Sequence, residues 1–184
     1  MDDAEFSEVL AAARANGEWA WERLYRAYAP DVLQFLRAQR AAQPEDVLGD
    51  VFVDVVRSLH TFEGSAAGFR AWLFRLANNR LIDEHRRRTR RHEQAMGDVP
   101  EADRAESSAE TIVITNAQEA RLYAVLEVLP PDQRAAMLLR HVMDLQPAEI
   151  ATAIGRTPGA VKMLLHRGGE TLRERLGPEF PDRP

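Results

Sequence analysis

The chain of 184 residues contains no cysteine and a single lysine. Without cysteine there can be no disulfide, no thiolate metal site and no direct thiol sensing. The one lysine, Lys162, does not stand in a glycine-rich phosphate loop, which removes the usual nucleotide-triphosphate cradle. Long apolar runs are missing as well. Although 45% of the residues are hydrophobic, no stretch approaches the roughly 20 apolar residues that cross a bilayer. The opening Met-Asp-Asp-Ala-Glu is acidic, where a secretory signal would be basic and then apolar. A cytoplasmic location without membrane insertion is expected. The histidines His60, His85, His92, His141 and His166 lie scattered, without metal-ligand spacing. The carboxylates form no convergent constellation, so neither catalysis nor a metal or cofactor is expected.

What is present is helical periodicity. Phe6, Val9, Leu10 and Ala13 recur at helical spacing over 5–15, and Asn16-Gly17 ends that run. A second helix covers 19–40, with Pro30 expected to kink it or start a new turn. Gln43-Pro44-Glu45-Asp46 opens a third helix with an apolar set of Val47, Leu48, Val51, Phe52, Val55, Val56 and Leu59. Asp46, Gly49, Asp50, Val53, Asp54 and Arg57 fall on its other face, where Val53 stands out among acids. A fourth helix follows over 67–91, with Phe69, Trp72, Leu73, Leu76 and Leu81 supplying apolar surface. Residues 93–117 are acidic and polar with no sustained amphipathic pattern, and read as a flexible linker. A compact four-helix unit begins near Ala117. The expected fold is all-α: two small helical domains joined by a flexible acidic linker, with boundaries at 1–92, 93–117 and 118–177 and a short tail over 178–184. No appended sensing domain is expected in so short a tail.

The charge is unevenly spread. The net value is −5, yet residues 70–92 carry 8 Arg against 2 acids, while 1–69 carry 6 against 12 and 93–119 carry 1 against 7. One concentrated basic block is the footprint of a phosphate-contacting surface. In that block arginines and asparagines stand beside aromatic rings, and single-stranded nucleic acid is held by guanidinium groups on phosphates and rings stacked on bases. Asparagine can also pair with a base edge. The acidic first third points to a different, basic partner surface.

The last quarter carries a second signal. Ile150, Ala151 and Ile154 give one helix an apolar face, Gly155 is placed to end it in the left-handed conformation, and Thr157-Pro158 is a cap followed by a first-turn proline. Val161, Leu165 and Leu172 continue an inward stripe, while Lys162, His166 and Arg167 project elsewhere. This is the layout of a helix-turn-helix, whose second helix enters a DNA major groove.

Trp21-Glu22-Arg23-Leu24-Tyr25, Pro44-Glu45-Asp46-Val47 with Asp50-Val51-Phe52, Trp72 to Asn79 with Asp83 and the arginine run, and Leu129-Pro130-Pro131 before the helix-turn-helix together resemble the extracytoplasmic-function sigma factors of bacterial RNA polymerase. The resemblance covers almost the whole chain, in order and spacing. It implies that the helix from Pro44 docks on the polymerase clamp helices through Asp46, Asp50 and Val53. It implies that Phe62 and Ser65 lie in a loop cradling an extruded −10 base, and that Arg75, Asn79, Asp83, Arg86 and Arg87 lie on the reading helix. The C-terminal unit would read −35 duplex through Arg156, Thr157, Lys162, His166 and Arg167, and lean on the polymerase flap. The acidic linker would thread toward the RNA exit path. The free protein would hold its domains together or be sequestered by an anti-sigma factor. The recognition helix departs from the family: Met163-Leu164 and Gly168-Gly169-Glu170 replace expected polar and basic residues. Two helical glycines cost roughly 1 kcal/mol each relative to alanine, so its end is expected to fray. Two other readings stand beside this one: a helix-turn-helix regulator that binds duplex operators alone, and an interaction protein that occupies polymerase or an anti-sigma partner.

Overall fold

The computed structural model describes residues 1–95 and 123–176. The linker over 93–117, the Ile112–Ile114 run and the tail lie wholly or mainly outside them. Every regular element among the described residues is helical: α1 (Asp3–Arg14), α2 (Glu18–Ala38), α3 (Pro44–Ser58), a 3-10 turn over Leu59–Thr61, α4 (Ala66–Ala95), α5 (123–127), α6 (Pro131–His141), α7 (Pro147–Ile154) and α8 (Pro158–Leu176).

Local chemistry sets most of the boundaries. The Asp2 carboxylate accepts from the Glu5 N–H at 2.8 Å and caps α1, and Phe6, Val9, Leu10 and Ala13 are all buried. Proline occupies the first turn of α3, α6, α7 and α8, where its missing N–H costs nothing. At the start of α7, Glu149 reaches back to the Gln146 N–H at 2.6 Å in a capping box. Pro30 does not divide α2, which runs through it. The ring stands on the exposed side, so it disturbs no packed neighbour.

The helices form two groups that lean on each other. In the first, α2, α3 and α4 enclose Leu24, Val32, Phe35, Leu36, Val51, Val55, Leu73 and Phe74, with the Phe35 and Phe74 rings edge to face at 5.5 Å. In the second, α6, α7 and α8 enclose Leu138, Leu139, Ile150, Val161 and Leu172. Between the groups, α7 packs on α4 in the most extensive helix–helix contact among the described residues, and α6 touches α2. Arg70 of α4 donates to the Met143 carbonyl, and Arg40 pairs with Glu127 at 2.7 Å. Arg134 is buried and donates to four carbonyls: Leu126 at 3.0 Å, Leu129 at 3.0 Å, Glu127 at 3.5 Å and, across the junction, Ala38 at 3.3 Å. Burial makes its charged form costly and lowers its pKa, which the ring of carbonyl dipoles offsets. Of the two expectations for the free protein, the structure has the domains together.

Candidate nucleic-acid interface

The site is built on α4, which is buried along one side and arginine-rich along the other. Phe69, Leu73, Phe74, Ala77 and Leu81 are buried. Arg75, Asn79, Asp83, Arg86 and Arg87 are exposed, and their steps of three and four put them along one side of the helix. The sequence-assigned −10 residues on this helix therefore share a surface. Ile82, His85, Arg86, Thr89 and Arg90 line a shallow groove farther along it, about 430 Å³ in volume. Arg80 points the other way. Its guanidinium forks onto the Asp54 carboxylate of α3 and lies 3.9 Å from Asp50, and the Asp54 hydrogen bonds raise its pKa.

The loop entering α4 differs from expectation at Phe62. Its ring is buried, 5.4 Å from Phe69, 5.3 Å from Trp72 and 6.4 Å from Phe6 by centroid. A ring held edge-on by two phenylalanines contributes apolar burial and aromatic packing to the core and is not presented to a base. The exposed part of the loop is Glu63, Gly64 and Ser65. Ser65 also caps α4, its hydroxyl accepting from the Gly68 N–H at 3.2 Å.

On α3, Asp46, Asp50 and Val53 are exposed together. Val56 is a correction: placed in the inward stripe by its spacing, it is 57% exposed, more than Val53 at 45%. One turn back, the Phe52 ring packs tilted against Tyr25 of α2, with centroids 4.7 Å apart, and Tyr25 is itself half exposed. An apolar strip thus borders the acidic one, and sequence reasoning missed it because seven apolar residues in one stripe exceed what α2 and α4 can cover.

In the helix-turn-helix the local reading holds. Gly155 ends α7 at φ 64°, in the left-handed region, and the Thr157 hydroxyl accepts from the Ala160 N–H at 3.2 Å, capping α8. Arg156, Thr157, Lys162, His166 and Arg167 are all exposed, but two are engaged. Arg156 reaches Asp132 at 2.7 Å, and the His166 Nδ1 lies 3.2 Å from Glu170. Where fraying is expected, α8 runs as one helix across both glycines to Leu176. Gly168 is buried against α6, where a β-carbon would lie 2.8 Å from the Met137 Cγ. It is a close-packing residue, so its helix cost is offset by the approach of α6. Among the described residues no cluster of three histidines or carboxylates is arranged to hold a metal, and no helix is long and apolar enough to cross a membrane.

Residues 24–91 match the family described as sigma-70 region 2, and residues 119–172 match sigma-70 region 4. The chain is 30% identical over 177 residues to the ECF RNA polymerase sigma factor BldN of Streptomyces coelicolor, covering 95% of this chain and 67% of that one. It is 33% identical over 166 residues to the RNA polymerase sigma factor CarQ of Myxococcus xanthus, covering 89% and 93%. Among solved structures, the sigma factor RpoE in complex with the anti-sigma factor NepR from Bartonella quintana aligns with a TM-score of 0.67 at 22% identity, covering 88% of this chain and 98% of that one. At such identity the likeness is one of fold. Two sigma-70 regions stand in order on one helical chain, and its relatives match it over nearly its full length. The chain belongs to the extracytoplasmic-function sigma factors of RNA polymerase.

Proposed function

We propose that this chain binds core RNA polymerase, directs it to a specific set of promoters and helps to open the −10 element. The observation that carries this reading is the α4 surface: Arg75, Asn79, Asp83, Arg86 and Arg87 exposed together on a helix whose other side is packed among rings. Guanidinium groups supply phosphate contact and the asparagine a base-edge pair. Extruding a base costs a few kcal/mol, and guanidinium planes and hydrogen-bonding groups held on a rigid surface offset it. In this reading residues 1–92 form the unit that binds polymerase and the −10 element, 93–117 the connection, 118–177 the unit for −35 duplex, and 178–184 a tail. Asp46, Asp50 and Val53 face the polymerase clamp helices, and Ser65 with the α4 row faces the separated −10 strand. Lys162 and Arg167 are the freest cations of the assigned −35 set, since Arg156 and His166 have acidic neighbours. With so few cations, −35 contact is weak and shallow in its salt dependence, and the polymerase flap carries part of the docking. An anti-sigma factor is proposed as the regulator, by likeness to the sigma factor solved with one.

The test is to sequence RNA 5′ ends made in vitro by core polymerase plus this protein on fragmented genomic DNA. Discrete starts sharing −10 and −35 elements are expected, and Arg75→Ala with Asn79→Ala should abolish them while core binding persists. Tight core binding without any starts would favour a polymerase-occupying regulator. Specific duplex binding by the protein alone would favour a stand-alone operator binder.

A further inference from the structure

The loop between α3 and α4 is held by the first helix of the chain. At its entry, the Arg14 guanidinium at the end of α1 donates to the Phe62 carbonyl. At its exit, the Ala66 N–H, one of the unpaired donors at the start of α4, donates to the Asp3 carboxylate at 3.0 Å. Between them Phe6 of α1 packs on Phe62 and on Phe69, with centroids 6.4 and 5.2 Å apart. The lengths agree. Asp3 and Arg14 stand about 16 Å apart along a helix rising 1.5 Å per residue, and the four steps from Phe62 to Ala66 reach at most about 14 Å. The turn is tight as well, since Gly64 adopts φ 152° and a β-carbon there would lie 3.1 Å from the Phe62 ring. What remains exposed is Glu63, Gly64 and Ser65.

We infer that α1 is a splint for this loop, and that Asp3 and Arg14 are positioning residues for −10 strand capture. They act through the loop, keeping its exposed backbone and the Ser65 hydroxyl in one arrangement before the strand arrives. A loop already ordered loses less freedom on binding than one that must be ordered by its ligand. The inference rests on the reading of this loop as a −10 contact. Asp3 is an anion and Arg14 a cation, so direct electrostatics with a polyanion would move their variants in opposite directions: loss of Asp3 should tighten binding and loss of Arg14 should weaken it. A splint moves both the same way.

The experiment uses holoenzyme assembled from core polymerase and the full chain. The probes are the non-template −10 strand and the −35 duplex of one promoter identified by 5′-end mapping. Asp3→Ala and Arg14→Met are each expected to weaken binding of the single strand about tenfold, leaving core binding and −35 duplex binding as in the parent. Asp3→Asn, whose side-chain oxygen still accepts the Ala66 N–H, is expected to bind as the parent does. Should Asp3→Ala fail to fold, Arg14→Met and Asp3→Asn carry the test, with faster amide exchange at Ala66 and Gly68 expected only where the brace is cut. Parent-like or tighter strand binding by Asp3→Ala, or parent-like binding by Arg14→Met, overturns the splint and leaves the sigma reading intact. If the parent holoenzyme does not bind the strand, both fall.

Discussion

At position 168 a β-carbon would lie 2.8 Å from the Met137 Cγ, whereas at 169 the nearest atom is the flexible end of Arg173 at 3.5 Å. Neighbouring glycines in one helix thus respond oppositely to alanine. Gly169→Ala should stabilise by about 0.5–1 kcal/mol through helix propensity and a less free unfolded chain. Gly168→Ala should destabilise by about 1–3 kcal/mol, because α6 and α8 must part. Denaturant unfolding of the two variants distinguishes them. Asp31 offers a pH test. Burial pushes its carboxyl up, with Arg70 pulling it back. A carboxyl whose folded pKa exceeds its unfolded value favours the fold when protonated, and that stability is lost as pH rises through the folded value. Asp31→Asn should therefore melt above the parent at about pH 7, and the two should converge as pH falls into the ordinary carboxylate range near about 4. A parent that stays equal to the variant across that window would show that Arg70 cancels the cost of burial.

Among the elements, α3 is where a surface can be tested without touching the fold. Val53 and Val56 are exposed beside Asp46 and Asp50, so Val53→Ser with Val56→Ser should change unfolding free energy by less than about 0.5 kcal/mol per site. The pair should weaken core polymerase binding about tenfold, measured by competition with the parent for core, and unchanged affinity would move the docking surface elsewhere. The elements also show how far local pattern reaches. The α1 stripe, the left-handed Gly155 and the Thr157 cap were legible because each depends on residues within a turn of itself. The inward placement of Phe62 was not, for it is set by Phe6 and Arg14, 56 and 48 positions away. Val56 was misplaced for a related reason: periodicity tells which residues share a side, but only the neighbouring helices decide how wide a side is covered. The site on α4 was legible through composition, since a row of arginines cannot be buried and its apolar partners must be.

For the molecule as a whole, the junction between the two helix groups is partly polar. Arg40 is instructive. It stands just past the end of α2 at φ 62°, where glycine would be favoured by about 1 kcal/mol, yet its side chain reaches Glu127 of the other group. Arg40→Gly should therefore relax the backbone of the first group while loosening the closed arrangement. Because the chain has no native cysteine, single cysteines at Glu22 and Glu174 can carry a fluorescent pair. Transfer efficiency should fall in the Arg40→Gly protein, and fall further when core polymerase and promoter DNA are added. Constant efficiency on promoter binding would rule out separation. The contact of α7 with α4 has one more consequence, which concerns distance. A folded chain of this length is about 40 Å across, whereas elements centred about 25 base pairs apart are separated by about 85 Å at 3.4 Å per pair. The closed molecule can touch one element or the other but cannot bridge them. With the two units reading the −10 and −35 elements as proposed, the promoter is in effect a gauge that only the parted molecule fits, and separation must precede recognition of both ends.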